Sequence, residues 1–518
     1  MLQTGRVSGI LLPLFSVRSR TDFGIGDFGA LDGLFAWMQA AKQRLLMLLP
    51  LLPTASGDTS PYATRSAFGL NALFIDVAAM PEFIEAGGVA GLSDQERAML
   101  DEARASTRIR YDLVFPLKRA ALAKSFAVFE ERHWKKGDER AAALQAYVEE
   151  QAAWLDTYAL YAAISADRNH QAWWEWPEAL QERQPAALAE EENRLARAVR
   201  FQKWLQWVAE REWQKVRAQA KARGVLLCGD EPFIIGMDSA DCWANPTLLR
   251  RDARLGVPPD DFSATGQDWG LPYFDFAQME KDGYAWLRFR AKKAASYYDL
   301  RRVDHAVGYF RQWIRDEKTP TGRFIPSGEK EQEALGERNF RLLSQEAGIV
   351  AEDLGVIPPF VRHKLAQLGL PGYRVLRWER DEGVYRDPRT FPASSLATTG
   401  THDTETLAEW WETVPAVERE ATARGYPELA RLTGAPPTNF TPEVHEAMLQ
   451  AALNARSELC VLPWQDVLGT RERINLPGSM TDANWSYRID QVVEELLVRE
   501  ETRAAAARLA RITEAAGR

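Results

Sequence analysis

Short apolar runs, separated by helical stretches, recur along the chain and constrain its fold more than any other feature. Runs of this length and apolarity are typical of strands that are covered on both faces. Where such strands alternate with helices, the pattern predicts βαβ units and a parallel sheet. The runs that we interpret as strands are Gly9–Leu14, Leu45–Leu51, Ala72–Val77, Val225–Cys228, Leu300–Val303, Ile349–Ala351, Tyr373–Leu376 and Leu396–Thr399.

Residues 78–223 interrupt this alternation. Apolar side chains recur there at helical spacing, for example at Leu144 and Val148 and again at Phe201 and Leu205. The chain of 518 residues exceeds an ordinary domain, but a (β/α)8 barrel tolerates long insertions. We therefore predict an α/β fold, a (β/α)8 TIM barrel with mostly helical insertions. A single barrel would span residues 1–518 and contain the mostly helical region at 78–223.

Acidic residues follow three of the predicted strands. Asp304 and Glu352 come directly after their strands, and Asp403 ends a Thr-Gly-Thr-His-Asp segment after the last one. In a (β/α)8 barrel, active sites lie at the carboxyl ends of the strands. Two carboxyl groups that flank one glycosidic bond are the usual requirement for its cleavage. The three acids together therefore predict that the barrel is catalytic and acts on glycans.

Arg302 and Asp304 form the first element of this predicted site. Residues two positions apart on a strand point to the same side, so the guanidinium would lie beside the carboxylate. A neighbouring cation keeps a carboxylate ionised, as a nucleophile requires. Taken alone, however, the pair also fits a structural ion pair at a strand end.

Glu352 and the His402-Asp403 dipeptide have alternatives of the same kind. A partly desolvated Glu352 at the end of an apolar strand retains its proton more easily and suits a general acid. Its structural alternative is the first turn of a helix, a role that Asp353 suits better. The dipeptide alone fits a supporting pair, half of a metal site or a structural contact, and only the order of all three segments is specific.

The composition excludes several classes of partner. A net charge of −9 argues against nucleic acids and anionic membranes, which require clustered Lys and Arg. No segment is apolar and long enough to predict a membrane span. Cys228, Cys242 and Cys460 have no metal-binding spacing and are odd in number, so we expect reduced thiols and a cytoplasmic location.

Longer motifs carry a resemblance that covers almost the whole chain. The order Arg-x-Asp, Glu and His-Asp resembles the catalytic set of the α-amylase clan. Within that clan the chain resembles the amylomaltases, which are the 4-α-glucanotransferases of glycoside hydrolase family 77. The segments that carry this resemblance are Phe23–Gly29, Leu49–Leu51, Ser60–Tyr62, Ser66–Phe68, Gly229–Pro232, Asp238–Pro246, Gly256–Gly270, Gln465–Gly469, Arg473–Gly478 and Asn484–Trp485.

The resemblance implies a transfer of α-1,4-glucan segments between maltooligosaccharides or starch-type glucans, without a metal or an organic cofactor. The reaction would be a retaining double displacement, with two carboxyl groups about 5–5.5 Å apart. By this resemblance Asp304 is the nucleophile, Glu352 the general acid/base, and Asp403 the carboxylate that stabilises the transition state. The side chains implied to contact the glucan are Tyr62, Asp230, Phe262, Trp269, Arg302, His305, His402 and Asn475.

Two alternatives stay open: a hydrolase of the same clan that uses water as acceptor, and a glycan-binding protein with a degenerate barrel. The loop Gly256–Gly270 covers the bound glucan in the family that the chain resembles. Phe262 in this loop would stack on the acceptor sugar and exclude water, or it merely packs the loop on the barrel. Chain-length preference, cyclic product size and oligomeric state have no signature in the sequence.

Overall fold

The computed structural model describes residues 5–55, 57–259, 266–316, 321–432 and 434–518. Phe262 therefore lies outside the described residues. The strands are, in chain order, β1 Val7–Leu11, β2 Leu45–Met47, β3 Leu226–Glu231, β4 Leu249–Val257, β5 Gln267–Phe274, β6 Leu300–Val303, β7 Gln312–Arg315, β8 Arg323–Ile325, β9 Gly348–Ala351, β10 Gly372–Val375, β11 Arg380–Asp381, β12 Val384–Tyr385, β13 Ser395–Thr398 and β14 Leu459–Pro463.

Helices connect and surround these strands. They are α1 Leu31–Ala40, α2 Pro81–Glu85, α3 Asp94–Ala105, α4 Tyr111–Arg132, α5 Glu139–Asp167, α6 Glu178–Gln181, α7 Pro185–Arg194, α8 Ala196–Ala222, α9 Ala240–Ala244, α10 Phe276–Lys281, α11 Ala285–Tyr297, α12 Glu329–Leu343, α13 Pro359–Gln367, α14 Leu407–Thr413, α15 Ala416–Gly425, α16 Pro427–Ala430, α17 Pro442–Asn454, α18 Trp464–Leu468 and α19 Glu500–Ala515. No helix in the described part of the chain has the length and apolarity to cross a membrane.

Eight of the described strands form a closed barrel in the order β1, β2, β3, β6, β9, β10, β13 and β14. Every neighbouring pair is parallel. The apolar runs are explained by burial, since all residues of β1 and of β14 are buried. A Cβ atom at Gly9 would lie 2.0 Å from the carbonyl oxygen of Leu45, so β1 and β2 can approach this closely only at a glycine. The predicted TIM barrel is confirmed.

The region predicted to be helical, residues 78–223, contains α2 to α8 between the barrel strands β2 and β3. A cluster of aromatic side chains joins α4 to α8. The ring of Trp204 lies 5.3 Å from that of Phe126 and 5.9 Å from that of Phe129, measured between centroids. These rings explain the helical spacing of apolar residues in the sequence, because they form the face along which the long helices pack.

A second sheet contains a strand, β7, that follows Asp304 closely in the chain. The antiparallel strands of this sheet have the order β5, β4, β7 and β8, and the 3-10 helix Ala306–Tyr309 lies between Asp304 and β7. The side-chain amide of Gln312 accepts a hydrogen bond from Phe274 N at 2.8 Å and donates one to Phe274 O at 2.8 Å. Gln312 thereby fastens the end of β5 to the start of β7.

One predicted strand is wrong, one strand of the barrel was missed, and the six described strands outside the barrel were not predicted. Instead of a strand at Ala72–Val77, the structure has two short 3-10 helices, Ala72–Phe74 and Val77–Ala79. The reason is local, because the side chains of Asn71 and Asp76 accept hydrogen bonds from the backbone at the start of each turn. The missed barrel strand is β14, Leu459–Pro463, and the buried helix α18 begins directly after it.

Candidate active site

Neighbouring strands place the first two predicted acids side by side. β6 and β9 pair in parallel, with Val303 opposite Ala351, so Asp304 and Glu352 continue from adjacent strand ends. The two ends remain linked beyond the strands, because Glu352 N donates to Val303 O at 3.0 Å and Ala306 N donates to Glu352 O at 3.0 Å. The acids therefore emerge at the same edge of the barrel.

Arg302 connects Asp304 to a second carboxylate. Its Nη1 donates to Asp304 Oδ1 at 2.8 Å and to the two carboxylate oxygens of Asp230 at 2.7 and 2.8 Å. Arg302 and Asp230 are buried, whereas the Asp304 side chain is 25% exposed. Burial raises the pKa of Asp230, and the guanidinium of Arg302 opposes that rise. Asp304 thus has a buried cation beside it and remains partly exposed.

Glu352 has a different environment. Burial raises its pKa to about 7, with Arg302 opposing and Asp304 adding to the rise. Two backbone N–H groups also donate to it, His305 N to Oε2 at 2.8 Å and Leu354 N to Oε1 at 2.9 Å. The backbone of His305, which supplies the first of these N–H groups, is in a left-handed conformation with φ 44°. A carboxyl group that titrates near neutrality suits both the acid and the base half of a reaction.

The third acid, Asp403, is held by two side chains. His402 Nε2 lies 3.1 Å from Asp403 Oδ2, and Asn475 Nδ2 donates to Oδ1 at 2.6 Å. Burial works against ionisation, but His402 and Asn475 outweigh it and lower the pKa of Asp403 to about 2. With 44% of its side chain exposed, Asp403 presents a fixed negative charge to the cleft.

Tyr62 closes the cluster between Asp230 and His402. Its hydroxyl donates to Asp230 Oδ2 at 2.7 Å and lies 3.0 Å from His402 Nε2. On the other side, the indole of Trp269 meets the His305 ring edge to face at 4.9 Å. Burial lowers the pKa of His305 to about 4, so its imidazole is neutral at pH 7. Every predicted site residue that the structure describes belongs to this one cluster.

Residues 12–493 match the model of a family described as 4-alpha-glucanotransferase. The chain belongs to the 4-alpha-glucanotransferase family. This confirms the resemblance predicted from the motifs.

Several proteins are similar to this family member along most of their lengths. The 4-alpha-glucanotransferase of Chlamydia pneumoniae is 30% identical, over 97% of this chain and 94% of its own. That of Thermus thermophilus is 33% identical, over 94% of this chain and 95% of its own. The structure of the amylomaltase from Streptococcus agalactiae in complex with acarbose has a TM-score of 0.82 and 25% identity, covering 99% of both chains. The amylomaltase of Corynebacterium glutamicum, 22% identical, shares the fold with a TM-score of 0.80 over 99% of this chain and 75% of its own.

The sequence analysis of this 4-alpha-glucanotransferase family member missed two aromatic residues that pack against the cluster. The guanidinium of Arg302 lies over the ring of Tyr373 at 5.7 Å, and the ring of Trp485 packs against those of Tyr62 and His402. In the sequence Tyr373 looks like any other residue of a buried strand, so nothing indicated that it lies beside Arg302. Trp485 was noticed only as part of a family motif, so the chemistry of its own side chain gave no signal.

Proposed function

We propose that this family member transfers α-1,4-glucan segments between maltooligosaccharides or starch-type glucans by a retaining double displacement. The observation that carries the proposal is the contrast between two carboxyl groups at neighbouring strand ends. Asp304 accepts a hydrogen bond from Arg302, whereas burial raises the pKa of Glu352 to about 7. Carboxyl groups with such different environments divide the roles of nucleophile and acid.

In the first step, Asp304 attacks the anomeric carbon of the donor glucan. The bond to the glycosidic oxygen breaks, and that oxygen takes the proton of Glu352, so that the shortened chain leaves as an alcohol. The donor segment remains on Asp304 as a covalent glycosyl ester. Asp403, fixed by His402 and Asn475, would bind the hydroxyl groups of the distorted ring and stabilise its positive charge.

In the second step, Glu352 is a base. It takes the proton of the 4-hydroxyl group of an acceptor chain, and that oxygen attacks the anomeric carbon. The ester bond to Asp304 breaks, which restores both acids and inverts the anomeric carbon a second time. The two inversions together retain the α configuration.

Substrate contacts follow from the same cluster. Tyr62, Asp230, Arg302, His305 and His402 would surround the sugar whose bond is cleaved, and Trp269 would cover it from the second sheet. We also propose a reducing, cytoplasmic location, which is supported by three buried cysteines that form no disulfide.

Incubation with maltotriose tests the function. Transfer must release glucose together with maltopentaose and longer chains, which chromatography resolves. A hydrolase of the same clan would give only glucose and maltose, and a glycan-binding protein would give no product. Either of these two results would reject the proposal.

The pH dependence of kcat/KM follows from the raised pKa of Glu352. Since the first step needs the protonated form, we expect kcat/KM for maltotriose to fall as the pH rises through about 7. The decline should vanish with a donor whose leaving group needs no protonation. A decline that persists unchanged with such a donor would show that another group titrates.

The ring of Trp269 should keep water away from Glu352. Its ring packs on His305, whose backbone N–H donates to Glu352, so removing the ring opens a route for water to the base. We expect Trp269→Ala to increase the fraction of cleaved bonds that end in hydrolysis rather than transfer. The matched control is Trp313→Ala, because Trp313 lies in the same sheet but packs on Phe324. Equal loss of transfer and hydrolysis in Trp269→Ala, at an unchanged ratio, would contradict this role.

A further inference from the structure

Trp485 combines a strained backbone with a position behind the active site. Its φ is 60°, a left-handed conformation that bulky side chains rarely adopt, and only 9% of the residue is exposed. Such conformations cost free energy and persist only where the surrounding structure enforces them. They are concentrated at functional sites, so the contacts that enforce this one are informative.

The strained residue is held at both of its backbone polar groups. Trp485 N donates to Ile474 O at 2.8 Å. The hydroxyl of Tyr111, at the start of α4, donates to Trp485 O at 2.9 Å. The following residue is fixed to the same region, because Ile109 N donates to Ser486 O at 2.9 Å. The helical region between β2 and β3 therefore holds the backbone of Trp485 in place.

The indole of Trp485 packs against two side chains that line the proposed cleavage site. Its centroid lies 5.7 Å from that of the Tyr62 ring and 5.9 Å from that of His402. Those two rings stack on each other at 5.4 Å, with an interplanar angle of 26°. The three rings thus form one packed unit, in which the indole limits how far Tyr62 and His402 can move.

These two side chains orient the carboxylates around the sugar. Tyr62 donates to Asp230, and His402 holds Asp403. We propose that Trp485 is a positioning residue, which fixes the Tyr62–His402 pair and thereby Asp403, and that Tyr111 sets its strained backbone. This assignment rests on the proposed function, but it concerns a residue that acts through others rather than on the glucan.

Kinetics of two variants test the assignment. Trp485→Ala removes the ring, and we expect kcat for transfer from maltotriose to fall by about 100-fold with a small change in KM, as for a misplacement of about 1 Å. Tyr111→Phe removes one hydrogen bond and no ring, and we expect a loss of about fivefold. Trp485→Phe keeps an aromatic face against Tyr62 and should retain most of the activity.

The matched control is Trp204→Ala. Trp204 is fully buried among aromatic rings of the helical region, so its loss should lower Tm but leave kcat of the folded enzyme unchanged. Parental kcat in Trp485→Ala and Tyr111→Phe would overturn the proposal, as would an equal loss of kcat in Trp204→Ala. If Trp485→Ala does not fold, Tyr111→Phe decides. If the parent enzyme formed no oligosaccharide longer than maltotriose, that result would instead reject the proposed function itself. The two failures are therefore distinguishable.

Discussion

Asp304→Asn is expected to fold normally and to lose at least about three orders of magnitude in turnover. The amide of asparagine is a poor nucleophile, so the glycosyl ester does not form. Folding should survive because Arg302 keeps both contacts to Asp230 when the charge of Asp304 is removed. Steady-state transfer from maltotriose and a thermal melt measure the two effects.

The matched control is Asp299→Asn, at the opposite end of the same strand. Asp299 accepts a hydrogen bond from Leu227 N, which an asparagine side chain can also accept, and it lies at the end of the barrel away from the acids. Turnover of this control should stay near that of the parent enzyme. Substantial transfer by Asp304→Asn would assign the nucleophile to another acid.

Glu352→Gln should show the second-largest effect, and it should depend on the leaving group. With maltotriose we expect a loss of about 10²- to 10⁴-fold, because the departing oxygen receives no proton. A glycosyl fluoride, whose leaving group needs no proton, should restore the first step. The glycosyl-enzyme should then accumulate, since no base activates the acceptor. Mass spectrometry of the intact protein measures this accumulation.

Asp304→Asn is the control for that experiment, because a better leaving group cannot replace a missing nucleophile. The fluoride should therefore restore the first step in Glu352→Gln, whereas Asp304→Asn should form no glycosyl-enzyme. If the fluoride restored the first step in both variants, or in neither, the two acids would not divide the roles as proposed.

The barrel was predictable from the sequence because its strands are buried on both faces. That burial makes most of them near-continuous apolar runs, and the alternation of these runs with helical stretches indicated a parallel barrel. The signal failed at Ala72–Val77, where the side chains of Asn71 and Asp76 accept backbone hydrogen bonds and produce turns. It also failed at Leu459–Pro463, where a short buried helix begins directly after the strand.

The site was predictable to a different degree for each residue. Asp304, Glu352 and Asp403 were found from their places after strands, which the chemistry of glycan cleavage makes specific. Tyr62 and Asn475 were found only through family resemblance, since each reaches the cluster from a distant loop. The raised pKa of Glu352 had a sequence explanation in its apolar strand. The hydrogen bond from His305 N to its carboxylate joins two strand ends and had no signal in the sequence.

The identity of the residue that carries the glycosyl group tests the central claim most directly. Glu352→Gln would be incubated with the glycosyl fluoride of maltotriose, digested with trypsin and analysed by tandem mass spectrometry. The account predicts an added glycosyl mass on the peptide Val303–Arg311, located at Asp304. An adduct on any other residue, or steady turnover of the fluoride with no adduct at all, would contradict a double displacement through Asp304.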